Sequence, residues 1–319
     1  MEVFRRIPPQ ESRRSCALSI GNFDGVHLGH QAMLKRLKIG AQARGLPCCV
    51  LTFEPHPREF FATLRPEMQA PARIYGERDK IDAMAAYGVD RVCIAHFNES
   101  MAAQAPERFI EEVLIEGLQT RHLLIGDDFR FGAKRAGDFS MLQRYADQDA
   151  FSLERMDSVL FQPASQRVSS SLVRQALSDA NFDLAENLLG RKYCMTGHVI
   201  HGKKLGRTLG FPTLNLKVPS LRPALRGIFV VKVFGLNESG TDDHPLQAVA
   251  SLGTRPAVEN EGKPLLEVHV LDYQGEAYGK LVRVEFLHKL RDEENYTSLE
   301  LLTAQIQKDA DAARAYFNP

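Results

Sequence analysis

The amino-acid sequence predicts two domains of different fold class: an α/β domain with a doubly wound parallel sheet, then an antiparallel β domain, either a barrel or a sandwich. Up to about residue 190, short apolar runs alternate with segments whose apolar residues recur at helical spacing. This alternation is typical of a parallel sheet covered by helices on both faces. Beyond Arg191, apolar residues recur at every second position, which is typical of antiparallel strands.

Short apolar segments are the predicted strands of the first domain, at residues 16–20, 47–53, 91–97, 122–125 and 151–156. Between strands the spacing is helical, as after Pro106, where Phe109 and Val113 fall on one face. Ligands of doubly wound domains bind beyond the C-terminal ends of the strands. Residues that follow those strand ends are therefore the first candidates for a site.

In the second domain, apolar residues recur at every second position, which is typical of the strands of an antiparallel barrel or sandwich. Phe229, Val231 and Val233 alternate with Val230 and Lys232, and residues 265–270 and 282–286 repeat the pattern. Residues 298–316 are rich in Ala, Leu, Gln and Lys, which predicts one closing helix. We place the domains at residues 1–185 and 186–319, joined by a helical connector near residues 177–191.

Composition narrows the class of protein. Lys plus Arg and Asp plus Glu are balanced at 40 each, so the chain as a whole lacks the excess of positive charge that is typical of nucleic-acid-binding proteins. The chain begins without the apolar core of a secretory signal, and no apolar run approaches the length of a membrane span. We expect a cytoplasmic protein with no nucleic-acid or membrane partner, as a monomer or weak homo-oligomer.

Cysteine usage points to the same compartment. The chain has five cysteines and no C-x-x-C pair, which is typical of free thiols in a reducing environment; they are Cys16, Cys48, Cys49, Cys93 and Cys194.

The most informative segment follows the first predicted strand and reads S-I-G-N-F-D-G-V-H-L-G-H over residues 19–30. His27 and His30 are three apart at a predicted helix N-terminus, where free N–H groups and the helix dipole favour an anion. Gly29 removes a side chain between them, so that a phosphate chain can approach the backbone. Such donors stabilise the charge that develops when a phosphate is attacked.

Other interpretations of the two histidines stay open on spacing alone. They are compatible with a purely structural pair, or with two ligands of a zinc ion. Zinc needs a third ligand nearby, and neither a cysteine nor an H-E-x-x-H pattern accompanies them. Position after the first strand of a parallel sheet favours the phosphate site.

This segment resembles the H-x-G-H signature of nucleotidyltransferases. With the stretches L-T-F-E-P-H-P at 51–57, G-D-D-F-R-F-G at 126–132 and R-V-S-S-S-L-V-R at 167–174, it resembles the N-terminal domain of bacterial bifunctional riboflavin kinase/FAD synthetases. The resemblance implies that His27 and His30 stabilise adenylyl transfer. Implied nucleotide-binding residues are Gly21, Phe23, Asp24, Gly29, Ser169, Ser170 and Arg174, and implied flavin-binding residues are Pro55, Asp128 and Phe129.

A second motif, G-K-K-L-G-R-T-L-G-F-P-T-L-N, spans residues 202–215. It does not match the P-loop pattern, so a Walker-type kinase is excluded. A basic surface hairpin is the alternative to a nucleotide loop. Thr213 and Asn215 are two apart on a predicted strand and so share a face, and their oxygens are of the kind that Mg²⁺ prefers. Glu267 lies on another strand, either facing solvent or acting as a general base.

The second half resembles the riboflavin kinase domain of the same family, which folds as a six-stranded antiparallel barrel with a C-terminal helix. The resemblance rests on residues 202–215, 226–229, 251–256 and 267–269. It implies that Thr213 and Asn215 hold Mg²⁺-ATP, and that Glu267 takes the proton of the ribityl 5′-hydroxyl. Implied nucleotide-binding residues of this domain are Gly202, Lys204, Gly206 and Arg207, with Arg255 on the flavin.

The chain departs from the family pattern at a few positions. The usual P-T-A-N has Leu214 in place of alanine, and the usual S-S-T-x-I-R has Ser171 in place of threonine. After Pro256, Ala257 and Val258 stand where the family often has Thr-Phe, a change that bears on flavin packing. None of these changes removes a proposed catalytic group.

The resemblance implies a two-step enzyme: ATP and Mg²⁺ convert riboflavin to FMN, and a second ATP adenylates FMN to FAD and pyrophosphate. Three alternatives stay open at this point. An adenylyltransferase for another phosphate would need no kinase barrel. An RNA-binding protein on a synthetase-like domain would show basic strips with aromatics, whereas only Lys203, Lys204 and Arg207 cluster here. One of the two sites could also have decayed to a binding module.

Overall fold

A computed structural model places a six-stranded sheet in the N-terminal half, and every pairing in it is parallel. Its strands are β1 (Glu2–Phe4), β2 (Cys16–Ile20), β3 (Cys48–Glu54), β4 (Arg91–His96), β5 (Thr120–Gly126) and β6 (Ser152–Met156). The predicted strands are all present, with small differences at their ends. The sequence analysis missed β1, a three-residue edge strand too short to show a period.

The structure describes residues 1–65, 67–162, 165–202, 205–218, 222–237, 244–254 and 263–318. Contacts divide the chain into two units, Met1–Pro71 with Lys80–Ser169 and Ala72–Asp79 with Ser170–Pro319. Residues 72–79 thus belong to the second unit, which no local sequence pattern predicts. The functional boundary between residues 185 and 186 stays a prediction.

Helices cover both faces of the parallel sheet, as predicted. Successive residues of a strand, such as Ala17 and Leu18, belong to two separate cores, one on each face of the sheet. The helices are α1 (Leu28–Gln42), α2 (Pro57–Leu64), α3 (Glu77–Ala86), α4 (Glu99–Ala103), α5 (Pro106–Arg108) and α6 (Phe139–Ala146), with a π-helical stretch Phe109–Gly117 after α5 and 3₁₀ turns at Gln10–Ser12 and Ala133–Arg135. A small hairpin pairs β7 (Leu160–Phe161) with β8 (Gln166–Arg167).

Strand order locates the ligand site of this unit. The order β1-β4-β3-β2-β5-β6 runs from β2 to β3 and β4 in one direction and to β5 and β6 in the other. Successive strands are therefore added on opposite sides of β2, and the switch between β2 and β5 opens a crevice at the C-terminal ends of the strands. The histidine segment follows β2, and the segment that begins at Gly126 follows β5.

The second unit contains the predicted six-stranded antiparallel barrel, which closes in the order β10-β13-β12-β11-β14-β9. Its strands are β9 (Cys194–Ile200), β10 (Leu214–Lys217), β11 (Gly227–Phe234), β12 (Leu246–Thr254), β13 (Pro264–Val270) and β14 (Leu281–Arg291). Helices α7 (Ser170–Ser178) and α8 (Phe182–Leu189) precede the barrel, a single turn α9 (Leu205–Thr208) lies within the glycine-rich loop, and α10 (Leu299–Phe317) closes the chain.

The period-two pattern of the barrel is interrupted on β11. Phe229, Val231 and Val233 are buried as expected, but the alternate residue Val230 is buried as well. Val230 forms a small core with Ala310 and Ala313 of α10, which covers the outer side of the barrel at this point.

Residues 72–79 lie along the barrel and are held by backbone hydrogen bonds. Arg73 donates its N–H to the carbonyl of Arg222 at 2.8 Å and accepts from Ala224 at 3.1 Å. The Tyr193 hydroxyl donates to the carbonyl of Ile74 at 2.9 Å. These contacts explain why the segment belongs to the second unit.

The four cysteines of strands β2, β3 and β4 are free thiols, as predicted, and they are buried, where a thiol packs as a small apolar group. Burial raises the pKa of the Cys48 thiol to about 12, so it stays protonated. No helix among the described residues has the length and apolar character needed to span a bilayer.

His122 makes the first unit sensitive to acid. Burial, assisted by Arg44, lowers the pKa of this imidazole below 6.5 against the opposing charge of Glu154. The folded state therefore takes up the proton less readily than the unfolded state, and stability decreases as the pH falls through 6.5. One such group changes the free energy of unfolding by at most about 1.4 kcal/mol per pH unit.

We predict that His122→Gln weakens this dependence. Urea unfolding between pH 7.5 and 5.5, followed by circular dichroism, should show a smaller loss for the variant than for the wild type. Equal losses would show that His122 does not titrate as its burial requires.

Candidate active sites

The two histidines meet at the N-terminus of α1. His27 is the N-cap residue, and its Nδ1 accepts the backbone N–H of His30 at 3.4 Å. The two imidazole rings stack with centroids 3.7 Å apart. Because Nδ1 accepts, the proton of a neutral His27 ring is on Nε2. The structure thus places two imidazoles at a helix end that already favours anions.

The turn before these histidines has an unusual backbone. Phe23 and Val26 have φ of 50° and 40°, and Gly25 between them has φ of 82°. Only the glycine adopts this region without strain. The Phe23 and Val26 side chains are fully buried in the core under α1, so packing holds the strained turn. Asp24, in the same turn, is also buried.

Gly29 makes room for protein groups. A Cβ at this position would lie 3.2 Å from the His27 ring and 3.5 Å from the carbonyl oxygen of Val168. The missing side chain lets the imidazole lie over the helix turn. The missing side chain also lets Val168 lie beside α1. The three serines at residues 169–171 therefore begin next to the histidines. Gly21 donates its N–H to the carbonyl of Leu51 at 3.1 Å, which ties the turn to β3.

The predicted flavin-binding residues follow β3 and β5. Pro55 follows a cis peptide bond directly after β3. Asp128 pairs with Arg167 at 2.7 Å, and Phe129 stacks on Phe131 with centroids 5.6 Å apart. Both residues are therefore held by neighbouring side chains.

The remaining predicted residues of this site are Ser169, which directly precedes α7, and two residues of that helix. Ser170 begins this helix, and Arg174 donates Nε to the carbonyl of Ala72 at 2.6 Å within the second unit. The predicted contact of Arg174 with a phosphate stays a prediction.

In the barrel, strand register assembles the second predicted site. Glu267 of β13 lies directly opposite Asn215 of β10 on one side and Ser251 of β12 on the other. Opposed residues of antiparallel strands have Cβ atoms about 4.5–5.5 Å apart. The structure therefore brings the predicted general base beside a predicted metal ligand, although the two are far apart in sequence. Thr213 directly precedes β10.

The Asn215 side chain has the environment expected of a metal-ligating residue. The side chain is buried, its Nδ2 donates to the carbonyl of Thr213 at 3.4 Å, and its Oδ1 has no hydrogen-bond partner within the described part of the chain. A buried amide oxygen left in this state is costly unless something binds it. A Cβ at Gly202 would lie 2.6 Å from this amide, so Gly202 provides the space that Asn215 occupies. The donor set fits Mg²⁺, a hard cation.

The rest of the glycine-rich loop is partly described. Gly206 accepts the N–H of Phe211 at 2.7 Å, which closes the loop after the turn α9, and Arg207 is exposed on that turn. Lys204 and Arg255 lie outside the described residues.

A second carboxylate, which the sequence analysis missed, lies beside Glu267. A Cβ at Gly253 would clash with the carboxylate of Glu293, so the absence of a side chain at Gly253 makes room for this carboxylate. Partial burial raises the pKa of Glu293; the charge of Glu267 adds to the rise, while Arg226 and Arg291 oppose it. Glu293 follows β14 by two residues, in a loop whose course no period predicts.

Two family models match the chain. The model described as FAD synthetase matches residues 9–172, and the one described as riboflavin kinase matches residues 189–317.

Full-length relatives agree with these matches. Proteins named bifunctional riboflavin kinase/FMN adenylyltransferase are 44% identical in Haemophilus influenzae, over 96% of this chain and 95% of the relative, and 44% identical in Pseudomonas fluorescens, over 96% and 94%. The Escherichia coli K12 protein of that name is 42% identical over 97% of this chain and 95% of its own length.

A solved structure has a similar fold. It is described as a macrolide-efflux protein from Streptococcus pneumoniae, and it superposes with a TM-score of 0.75 at 25% identity, covering 98% of this chain and 99% of that one.

Proposed function

The chain belongs to the family of bifunctional riboflavin kinases/FMN adenylyltransferases, and we propose that its two reactions are divided between the histidine turn and the outer face of the barrel. As a member of that family it phosphorylates riboflavin to FMN with ATP, and adenylates FMN with ATP to give FAD and pyrophosphate. The observation that supports the division is that each predicted constellation is assembled within one unit: His27 with His30, and Asn215 with Glu267.

In the kinase step, Glu267 accepts the proton of the ribityl 5′-hydroxyl as that oxygen attacks the γ-phosphate. A hydroxyl is a poor nucleophile, and a positioned base contributes about 10²–10⁴-fold. Asn215 and Thr213 would hold Mg²⁺, which when bound neutralises charge on the ATP phosphates. Residues proposed for the nucleotide are Gly202, Lys204, Gly206 and Arg207, with Arg255 on the flavin.

In the adenylyl step, the FMN phosphate attacks the α-phosphate of ATP and pyrophosphate leaves. The attacking phosphate is already anionic, so this site needs charge stabilisers and no base. The His27 and His30 rings and the N-terminus of α1 supply them. Residues proposed for the nucleotide are Gly21, Phe23, Asp24, Gly29, Ser169, Ser170 and Arg174, and those for FMN are Pro55, Asp128 and Phe129.

The proposal also covers the domain boundary, the compartment, the oligomeric state and the partners of the protein. We assign adenylyl transfer to residues 1–185 and riboflavin phosphorylation to residues 186–319, in a cytoplasmic monomer or weak homo-oligomer. The balance of 40 basic and 40 acidic residues supports an enzyme of small molecules without a nucleic-acid or membrane partner. The free buried thiols support a reducing compartment.

We predict that the two activities separate by mutation. Glu267→Gln should lower riboflavin phosphorylation about 10²–10⁴-fold and leave adenylylation of supplied FMN unchanged. His30→Ala should do the reverse, with a loss of about 10²–10³-fold. Chromatography of flavin products from riboflavin or FMN, with ATP and Mg²⁺, measures both reactions in one preparation.

Each variant serves as the folding control of the other. Loss of both activities from either folded variant contradicts the division. FMN as the only product of the wild type would leave the kinase standing and show that the first unit acts on another acceptor.

We further predict that Asn215 sets the Mg²⁺ requirement of the kinase step. Asn215→Ala should raise the Mg²⁺ concentration for half-maximal riboflavin phosphorylation by about tenfold or more, the scale found even for partners of metal ligands. Gly202→Ala should do the same, because its methyl group displaces the Asn215 amide.

Gly197→Ala is the matched control for these two variants. Its Cβ would meet Leu216 at 3.4 Å, an ordinary packing distance. An unchanged Mg²⁺ dependence in Asn215→Ala, or an equal shift in Gly197→Ala, would contradict the assignment.

A further inference from the structure

Lys80 is a buried lysine that the proposed mechanism does not use. Its side chain lies in α3 and is 3% exposed. Its Nζ donates to the Thr52 hydroxyl at 3.1 Å and lies 3.5 Å from the carbonyl oxygen of Asn22. The Thr52 hydroxyl also donates to that carbonyl, at 3.2 Å. Removing an ammonium from water is unfavourable, so its retention here needs a reason beyond packing.

The groups that Lys80 contacts connect two loops of the proposed adenylyl site. Asn22 stands in the strained turn that leads to His27, directly before Phe23 with its φ of 50°. Thr52 lies near the C-terminal end of β3, shortly before Pro55. The ammonium and the hydroxyl therefore join the ends of β2 and β3 at one carbonyl oxygen.

This contact has an electronic consequence for the turn. A carbonyl that accepts from a cation and a hydroxyl is polarised, and the N–H of the same peptide becomes a stronger donor. That N–H belongs to Phe23, one of the proposed nucleotide-binding residues.

We propose that Lys80 is a positioning residue for adenylyl transfer: with Thr52 it holds the Asn22 carbonyl and so fixes the turn that presents His27 and His30 to the phosphates. The inference rests on the assignment of adenylyl transfer to the histidine turn. Lys80 acts through the backbone of that turn.

Full-length Lys80→Met and Thr52→Val test the inference, since both keep the side-chain shape and remove the polar group. Lys80→Met should lower kcat for adenylylation of supplied FMN about 10²-fold, the scale expected for a misplaced catalytic group. Thr52→Val should lower it about tenfold, and add little in the double variant because both residues act through one carbonyl. Riboflavin phosphorylation by the same preparations should be unchanged.

The control is Lys38→Met, which removes another ammonium of the first unit. Lys38 pairs with Asp90 at 2.9 Å and is not in the network of the Asn22 carbonyl. A loss of kcat with little change in KM, absent from Lys38→Met, distinguishes positioning from a general effect on folding. Circular dichroism reports the fold of each variant.

Several outcomes overturn the inference. Wild-type kcat in Lys80→Met while His30→Ala is inactive refutes the role of Lys80 and leaves the histidine site standing. Wild-type adenylylation in His30→Ala refutes the site assignment itself. If Lys80→Met does not fold, Thr52→Val decides: a lower kcat at an unchanged melting temperature supports the inference, and an unchanged kcat refutes it.

Discussion

Hydrogen bonding between neighbouring strands determines which residues meet at each site, because side chains alternate between the two faces of a sheet. In the barrel, the register of β13 sets Glu267 opposite both Asn215 and Ser251. A slip of one residue would turn Glu267 into the barrel interior and bring buried Leu266 to the outer face. The hydrophobic pattern that closes the barrel therefore also aligns the base with the metal ligand.

In the first unit the corresponding constraint is the burial that holds the turn after β2. Positive φ values at Phe23 and Val26 cost about 1–3 kcal/mol each. Full burial of each side chain contributes about 1.5–3 kcal/mol, which offsets that strain. The core under α1 thus stabilises a backbone shape that an isolated peptide would not adopt. Lys80 adds a polar anchor at the same place.

Glycines show how far local reasoning reaches. The sequence analysis assigned Gly29 to the close approach of a phosphate chain, which requires only that a side chain be missing, and the family resemblance implied that Gly202 binds the nucleotide. The structure adds that protein groups occupy part of that space, the His27 ring at Gly29 and the Asn215 amide at Gly202. The motif was predictable because the residue type is local, and its packing partner was not because that partner comes from another element.

By itself, the sequence determined the two fold classes, the strands of the parallel sheet other than β1, the alternating pattern of barrel strands and the position of each motif at a strand end. These features follow from periods of two and 3.6 residues, which a short window of sequence contains. The tertiary structure alone decided the burial of Val230 under α10, the place of residues 72–79 in the second unit, and the positions of Lys80 and Glu293. Each depends on contacts between residues distant in sequence, and such contacts have no local period.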